Sequence, residues 1–225
     1  MIGRGRLVDG FGRTHTDLRV SVTDRCNMRC IYCMPLDASF LPREALLTFE
    51  EIARVVRVAA GLGIRTVRLT GGEPLLRRDL HQLVSMLVAT PGIDEVALTT
   101  NGLLLADQAS RLVEAGLTRL NVSLDSLDDV SFQAVSRIPD GRWGPGDVIN
   151  GLLAARQAGF QPIRINAVAR RGLPSAEIIA MTEFALAEGF HLRFIEFMPL
   201  DAEQGWRPEE VLEGAAIRRI LESRF

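Results

Sequence analysis

The amino-acid sequence predicts an α/β protein in which six βα units, a (βα)6 arrangement, form an open partial barrel around a parallel sheet. Three observations carry this. From Leu18 onward, short β-branched runs alternate with longer amphipathic stretches, the pattern of repeated βα units. Most of the amphipathic stretches end at a glycine, namely Gly61 or Gly63, Gly116, Gly159 and Gly189, as helices commonly do. The units number six, which suits an open arrangement better than a closed eight-unit barrel.

The first strand is expected at Leu18–Val22. A helix over Thr48–Leu62 follows, opened by a capping box between Thr48 and Glu51. Thr66–Leu69 and Asp79–Ala89 make the second unit, and Glu95–Thr99 with Leu105–Ala115 the third. Arg119–Leu124 and Asp147–Ala158 make the fourth, separated by Pro139–Gly146, whose Gly and Pro read as a surface loop. Pro162–Val168 and Ser175–Glu188 form the fifth. Leu192–Phe197 is the sixth strand, and beyond Pro199 the pattern weakens to one further helix, Glu209–Leu221.

The chain has 225 residues, 47% of them apolar, enough for one full core. Its 26 basic and 28 acidic side chains nearly cancel, which argues against a protein that coats nucleic acid or lies on a membrane. Small-molecule partners are expected instead. The polar stretch Met1–Asp17 lacks the apolar segment of a secretory signal, and no later run is long enough to span a bilayer, so a cytoplasmic location is expected.

All three cysteines fall within CNMRCIYC, residues 26–33, immediately after the first strand. Three so close together cannot frame disulfides. A C-x3-C-x2-C loop can wrap its thiolates around a cubane iron–sulfur cluster, and three ligands leave one iron open, for example to an amino acid's amine and carboxylate. Structural zinc is the first competing reading, but it wants a fourth protein ligand, and His15, His81 and His191 are remote in sequence. Three inert buried cysteines are the second.

The cysteine motif, with Tyr32 before its last cysteine, resembles that of the radical S-adenosylmethionine superfamily. With DLRVSVTDRCNMRCIYCMP, VRLTGGEPLLRRDL, LTTNG, LNVSLDSL and RFIEFMPLD in that order, the chain resembles, more closely, the GTP 3′,8-cyclase family of molybdenum cofactor biosynthesis. The resemblance runs from about residue 10 to about residue 222. It implies the partial TIM barrel of the radical S-adenosylmethionine type over residues 1–200, with 201–225 beginning a further region. It also implies a lyase-type enzyme with a [4Fe–4S] cluster on Cys26, Cys30 and Cys33, S-adenosylmethionine, GTP as substrate, an electron donor, and a homodimer as an open expectation. In that family the reduced cluster cleaves S-adenosylmethionine, and the 5′-deoxyadenosyl radical abstracts the ribose C3′ hydrogen of GTP before C3′ joins purine C8.

Carried over position by position, the resemblance assigns S-adenosylmethionine to Tyr32, Gly72, Ser123 and Met198, and GTP to Arg19, Arg68, Thr99 and Arg164. Read without it, Gly71 and Gly72 would let backbone approach a ligand, or simply make a strand-to-helix turn with Glu73 as a capping acid. The rim residues Thr99, Thr100, Asn101, Gly102, Ser123 and Asp125 could be caps and turns, Met198 core filler, and the arginines solvated. No glycine-rich phosphate loop is present in the sequence. Arg164 stands where the family usually has lysine, and a planar fork does not reproduce an ammonium.

The family carries a second three-cysteine cluster in a C-terminal region, for which this sequence has no further cysteine. A fragment or truncated product is therefore expected, binding one cluster and S-adenosylmethionine but weak as a cyclase. Two alternatives stay open: a radical enzyme that modifies a peptide, and a noncatalytic remnant holding a cluster or zinc.

Overall fold

A computed structural model of the chain describes residues 5–199 and 204–225. Six strands form one parallel sheet in sequential order: β1 (Asp17–Ser21), β2 (Thr66–Thr70), β3 (Glu95–Thr100), β4 (Arg119–Ser123), β5 (Ile163–Ala169) and β6 (His191–Glu196). β1 and β6 are its two edges, so the barrel is open as expected. Each strand lies within a residue or two of its predicted span.

The helices are α1 (Phe49–Gly61), α2 (Leu80–Val88), α3 (Ala109–Glu114), α4 (Asp129–Ser136), α5 (Pro145–Gln157), α6 (Ser175–Glu188) and α7 (Gly214–Glu222). The predicted capping box opens α1: Thr48 Oγ1 accepts from Glu51 N at 3.2 Å, and Glu51 Oε2 accepts from Thr48 N at 2.8 Å. Gly63, Gly116, Gly159 and Gly189 all take positive φ, which a side chain would resist. No described helix is long and apolar enough to cross a membrane.

The two faces of the sheet differ by the period of a strand. In β5, Ile163, Ile165, Ala167 and Ala169 are buried toward the helices, whereas Arg164, Asn166 and Val168 alternate onto the other face. The outer face packs Leu69, Leu98, Leu120 and Ile165 against α1 to α6 as the main core. Burying each such side chain contributes about 1.5–3 kcal/mol. A parallel sheet covered on both faces would read as unbroken apolar runs. Here the concave face carries Arg19, Arg68, Thr99, Asn121 and Arg193, an interior chemically suited to a polar ligand.

Four expectations need correction. α4 was not predicted: its eight residues, DVSFQAVS, are rich in Ser and Val, and its start is set by Asp128, whose carboxylate accepts from Ser131 N at 2.8 Å. The stretch read as a helix from Leu105 opens with turns, Leu105 N to Gly102 O and Gln108 N to Leu105 O, before α3 begins. The expected helix over Glu209–Leu221 begins only at Gly214, because Val211 bridges Arg170 in extended form and Arg171 N donates to Glu210 O at 2.7 Å. The loop read over Pro139–Gly146 yields its last two residues to α5, with Pro145 at the first helical position. The domain boundary expected at 200/201 lies outside the described residues.

Candidate active site

β1 delivers the chain to the C-terminal rim of the sheet, and the cysteine loop follows there. The loop hangs from α4. Arg29 N donates to Ser136 O at 2.8 Å and Ile31 N to Val135 O at 3.1 Å. Arg137, left-handed at φ 45° after α4, returns Nε to Arg29 O at 2.6 Å and Nη2 to Met34 O at 3.1 Å. Within the loop, Cys33 N and Met34 N both donate to Cys30 O, so the last two cysteines sit on one tight turn.

A cavity of about 250 Å³ opens beneath this loop. Nine of the eleven residues singled out above line it: Cys26, Cys30, Cys33, Tyr32 and Gly72, with Arg19, Arg68, Thr99 and Ser123 from the strands. Arg164 and Met198 are the other two. Arg164 projects from β5 beside Arg193, whose pKa it helps to lower. Met198 follows β6 and is 50% exposed, so it is not core filler.

The diglycine, which lines the cavity, also makes a close approach that was not expected. A Cβ on Gly71 would stand 2.3 Å from Thr23 O, and one on Gly72 would stand 2.3 Å from Arg25 O. The close approach is thus to the chain's own cysteine-loop backbone, which Gly72 N and Glu73 N hold through 2.7 Å hydrogen bonds to Thr23 O and Arg25 O. Glu73 is 1% exposed and joins two rims: Oε1 accepts from Leu75 N (2.8 Å) and Thr100 Oγ1 (2.7 Å), and Oε2 from Asn101 N (2.7 Å). Burial pushes its pKa up to about 7 against these three donors. It is a capping and bracing acid.

Burial also pushes all three thiols upward in pKa, Cys30 most, with the charge of Asp125 adding to its shift. Thiolate is the ligating form, so the half-buried Cys26, beside Glu73, and Cys30, beside Asp125, together with the exposed Cys33, call for a cationic metal centre to hold them deprotonated. No three His, Cys, Asp or Glu side chains among the described residues are placed to hold a single metal ion. The donor set, three thiols around one cavity, fits a multinuclear iron–sulfur cluster with one iron per thiolate better than a mononuclear zinc.

The sequence profile of the Radical SAM superfamily matches residues 20–185. The chain belongs to that superfamily. Its curated relatives include a GTP 3′,8-cyclase of Rhodopirellula baltica, 50% identical over 225 residues, and one of Acidothermus cellulolyticus, 49% identical over 222 residues. These matches cover 97% and 96% of this chain but 60% of each relative, so the chain spans about three fifths of their length. Among solved structures, Streptococcus suis SuiB bound to S-adenosylmethionine superposes with a TM-score of 0.73 at 19% identity, over 92% of this chain and 46% of that one. Methylornithine synthase (PylB) gives 0.67 at 18% identity, over 98% and 63%. These two show the radical SAM fold.

Three lining or neighbouring residues escaped the sequence reading. Asn166 and Ser136 line the cavity, and Ser136 Oγ is buried without a partner among the described residues. Arg193 donates to Asn166 Oδ1 at 2.7 Å and to Asn121 Oδ1 at 3.3 Å. The alternation of arginine and asparagine in RINAV is the one signal that could have marked this polar face. The chain also has no lysine, its 26 Lys or Arg residues all being arginine, so Arg164 at the family's lysine position follows a chain-wide choice.

Proposed function

We propose that the chain forms the S-adenosylmethionine-cleaving part of a GTP 3′,8-cyclase of molybdenum cofactor biosynthesis. The observation that carries this is the convergence of three thiols with Arg19, Arg68, Thr99 and Ser123 on one cavity, in a chain about half identical to GTP 3′,8-cyclases. The reading takes the cytoplasm as its compartment and includes an electron donor.

Cys26, Cys30 and Cys33 would hold one [4Fe–4S] cluster, leaving an iron free to chelate the amino-acid end of S-adenosylmethionine. When bound, the cluster supplies the electron that cleaves the sulfonium, so that the adenosyl fragment can take a hydrogen from the substrate ribose. The protein's own part is positional. Tyr32, Gly72, Ser123 and Met198 would hold S-adenosylmethionine. Tyr32 is fixed by its 2.7 Å bond to Asp125. Arg19, Arg68, Thr99 and Arg164 face the triphosphate of GTP, for which guanidinium forks are suited donors. Arg68 and Arg164 are half-buried and Arg19 is exposed, and burial followed by Arg119, Arg19 and Arg193 lowers the pKa of Arg68. A polyanion relieves that mutual repulsion. The loop over the cavity excludes water from reactive fragments.

The test is anaerobic reconstitution followed by iron, sulfide and 5′-deoxyadenosine analysis. About four irons per chain, with 5′-deoxyadenosine release that rises on adding GTP, is the expected result. Zinc without sulfide, or release that responds to a peptide and not to GTP, overturns the reading.

A further inference from the structure

Behind the wall of the site lies a second cavity that the proposed reaction does not use. Its volume is about 390 Å³, and four arginines line it: Arg25, Arg43, Arg77 and Arg78. Their charge is poorly compensated. Arg77 donates to two carbonyls, Val22 O at 2.7 Å and Leu47 O at 2.6 Å, and lies 4.7 Å over the Phe49 ring. Arg25 reaches Leu41 O at 3.4 Å and lies 5.7 Å from the centre of the Phe40 ring. Arg78 has Asp79 at 3.5 Å in an exposed pair. Among the described residues Arg43 makes no ion pair, although Glu44 adjoins it in a short 3-10 turn. Asp24 is the other nearby acid; its Oδ2 accepts from Leu41 N at 2.6 Å and its Oδ1 is buried without a hydrogen-bond partner among the described residues, so it pairs with none of the four guanidiniums.

This cavity is separated from the cysteine pocket by two layers of backbone bonded to each other. Thr23 and Arg25 accept from Gly72 N and Glu73 N at 2.7 Å. Thr23, Arg25 and Arg77 face the basic cavity, whereas Cys26, Gly72 and Glu73 face the site. Exposed leucines flank the arginines: Leu41, Leu47 and Leu76.

We propose that this arginine-lined face is the docking surface for an acidic one-electron carrier protein that reduces the cluster held by Cys26, Cys30 and Cys33. The inference rests on the function proposed above, since that reaction draws one electron from outside the chain. One electron leaves the carrier, which is oxidised by one equivalent, and enters the cluster, which is reduced by one; no atom is transferred. Two features favour a protein over a small anion. The forks of Arg25 and Arg77 are already turned to carbonyls, so they contribute field rather than chelation. Charge flanked by exposed leucines, with Arg78 95% exposed, has the character of a small, electrostatically steered electron-transfer interface. Arg25, which lines this face, directly precedes Cys26 in the chain, so the docking surface adjoins a residue that would hold the cluster.

Binding is measured first, on the metal-free chain, with oxidised flavodoxin as the acidic probe and Arg43→Glu/Arg78→Glu as the variant. Both side chains lie outside the cysteine pocket. Wild-type affinity should fall about tenfold between low and physiological salt, as screening of an exposed charged interface requires. The double variant should bind at least about tenfold more weakly and lose that salt dependence, while Arg43→Lys/Arg78→Lys keeps both. In the reconstituted chain, reduced flavodoxin should reduce the cluster of the double variant correspondingly slowly, with dithionite reduction unchanged. Equal flavodoxin affinity in wild type and double variant, or wild-type binding insensitive to salt, overturns the docking surface. Saturable binding of inorganic phosphate with none of flavodoxin overturns it in favour of a small-anion site. A chain that cannot be reconstituted, or whose cluster dithionite cannot reduce, counts against the proposed function, and the binding measurement still decides the docking surface.

Discussion

The Tyr32 hydroxyl donates to Asp125 Oδ2 at 2.7 Å across 93 residues of chain, while Asp125 Oδ1 accepts from Val168 N at 2.8 Å. One carboxylate thus ties the cysteine loop to the rims of β4 and β5. Burial pushes Asp125 up to about 6 and Tyr32 well above its usual range, so neither group is readily left without its partner. Tyr32→Phe strands a buried carboxylate oxygen and should cost about 1–3 kcal/mol. Asp125→Asn should cost less than Asp125→Ala, because its Oδ1 still serves Val168 N and its amide can donate to the tyrosine oxygen. Urea denaturation of the metal-free chain measures all three. Equal midpoints for Tyr32→Phe and wild type would remove the bond from any account of the loop.

Arg137 offers a separation of stability from metal retention. Its backbone is left-handed, at φ 45° and ψ 51°, which costs a non-glycine residue about 1–2 kcal/mol, yet its guanidinium clamps Arg29 O and Met34 O. Arg137→Gly removes the strain and the clamp together. The expected outcome is a near-unchanged melting temperature but several-fold faster iron loss to a chelator from the reconstituted chain. Unchanged iron loss would show that α4 holds the loop without this side chain.

The strands were legible because each is a short run rich in β-branched and apolar residues between longer amphipathic stretches, and α1 because Thr48 and Glu51 carry their capping signal within four residues. The cysteine loop was legible for the same local reason. α4 was not, since a short, Ser-rich helix is set by tertiary packing and by one Asp128 cap. Bonds such as Glu73 to Asn101 and Arg193 to Asn166 were also hidden. They depend on which strand ends meet at the rim, and no local pattern of residue types encodes that meeting.

Gly72 tests the tightness of the joint behind the site. Its φ is not in the left-handed region, so the objection to a side chain is space alone: a Cβ would meet Arg25 O at 2.3 Å and Asp24 O at 2.7 Å, both backbone atoms. Backbone cannot rotate away as a side chain can. Gly72→Ala should therefore destabilise by about 3 kcal/mol, the upper range for overpacking, and break the bonds from Gly72 N and Glu73 N. Thermal melting of the metal-free chain is the measurement. A loss under about 0.5 kcal/mol, the range of a harmless surface change, would mean that the 23–25 loop relaxes freely.

Arg68 makes a prediction with two opposite signs. Its register partner on β1 is Arg19, and burial, then Arg119, Arg19 and Arg193, lower its pKa. Among the described residues, only Arg119 of this set has a carboxylate within ion-pair distance, Glu95 at 2.6 Å, although the charge of Asp17 partly offsets the shift of Arg68. A ligand-free cradle of like charges destabilises itself, so Arg68→Gln should raise the melting temperature of the free chain by about 2–4 °C, the shift of roughly 1 kcal/mol in a chain of this size. The same change should weaken the response to a polyanion. Tripolyphosphate binds the folded state alone and should raise the wild-type melting temperature as its concentration rises above the dissociation constant. In Arg68→Gln that rise should be smaller at every concentration. A variant that melts lower than wild type while keeping the full tripolyphosphate response would mean that Arg68 is a structural side chain, and the triphosphate would then have to rest on Arg19, Arg164 and Arg193.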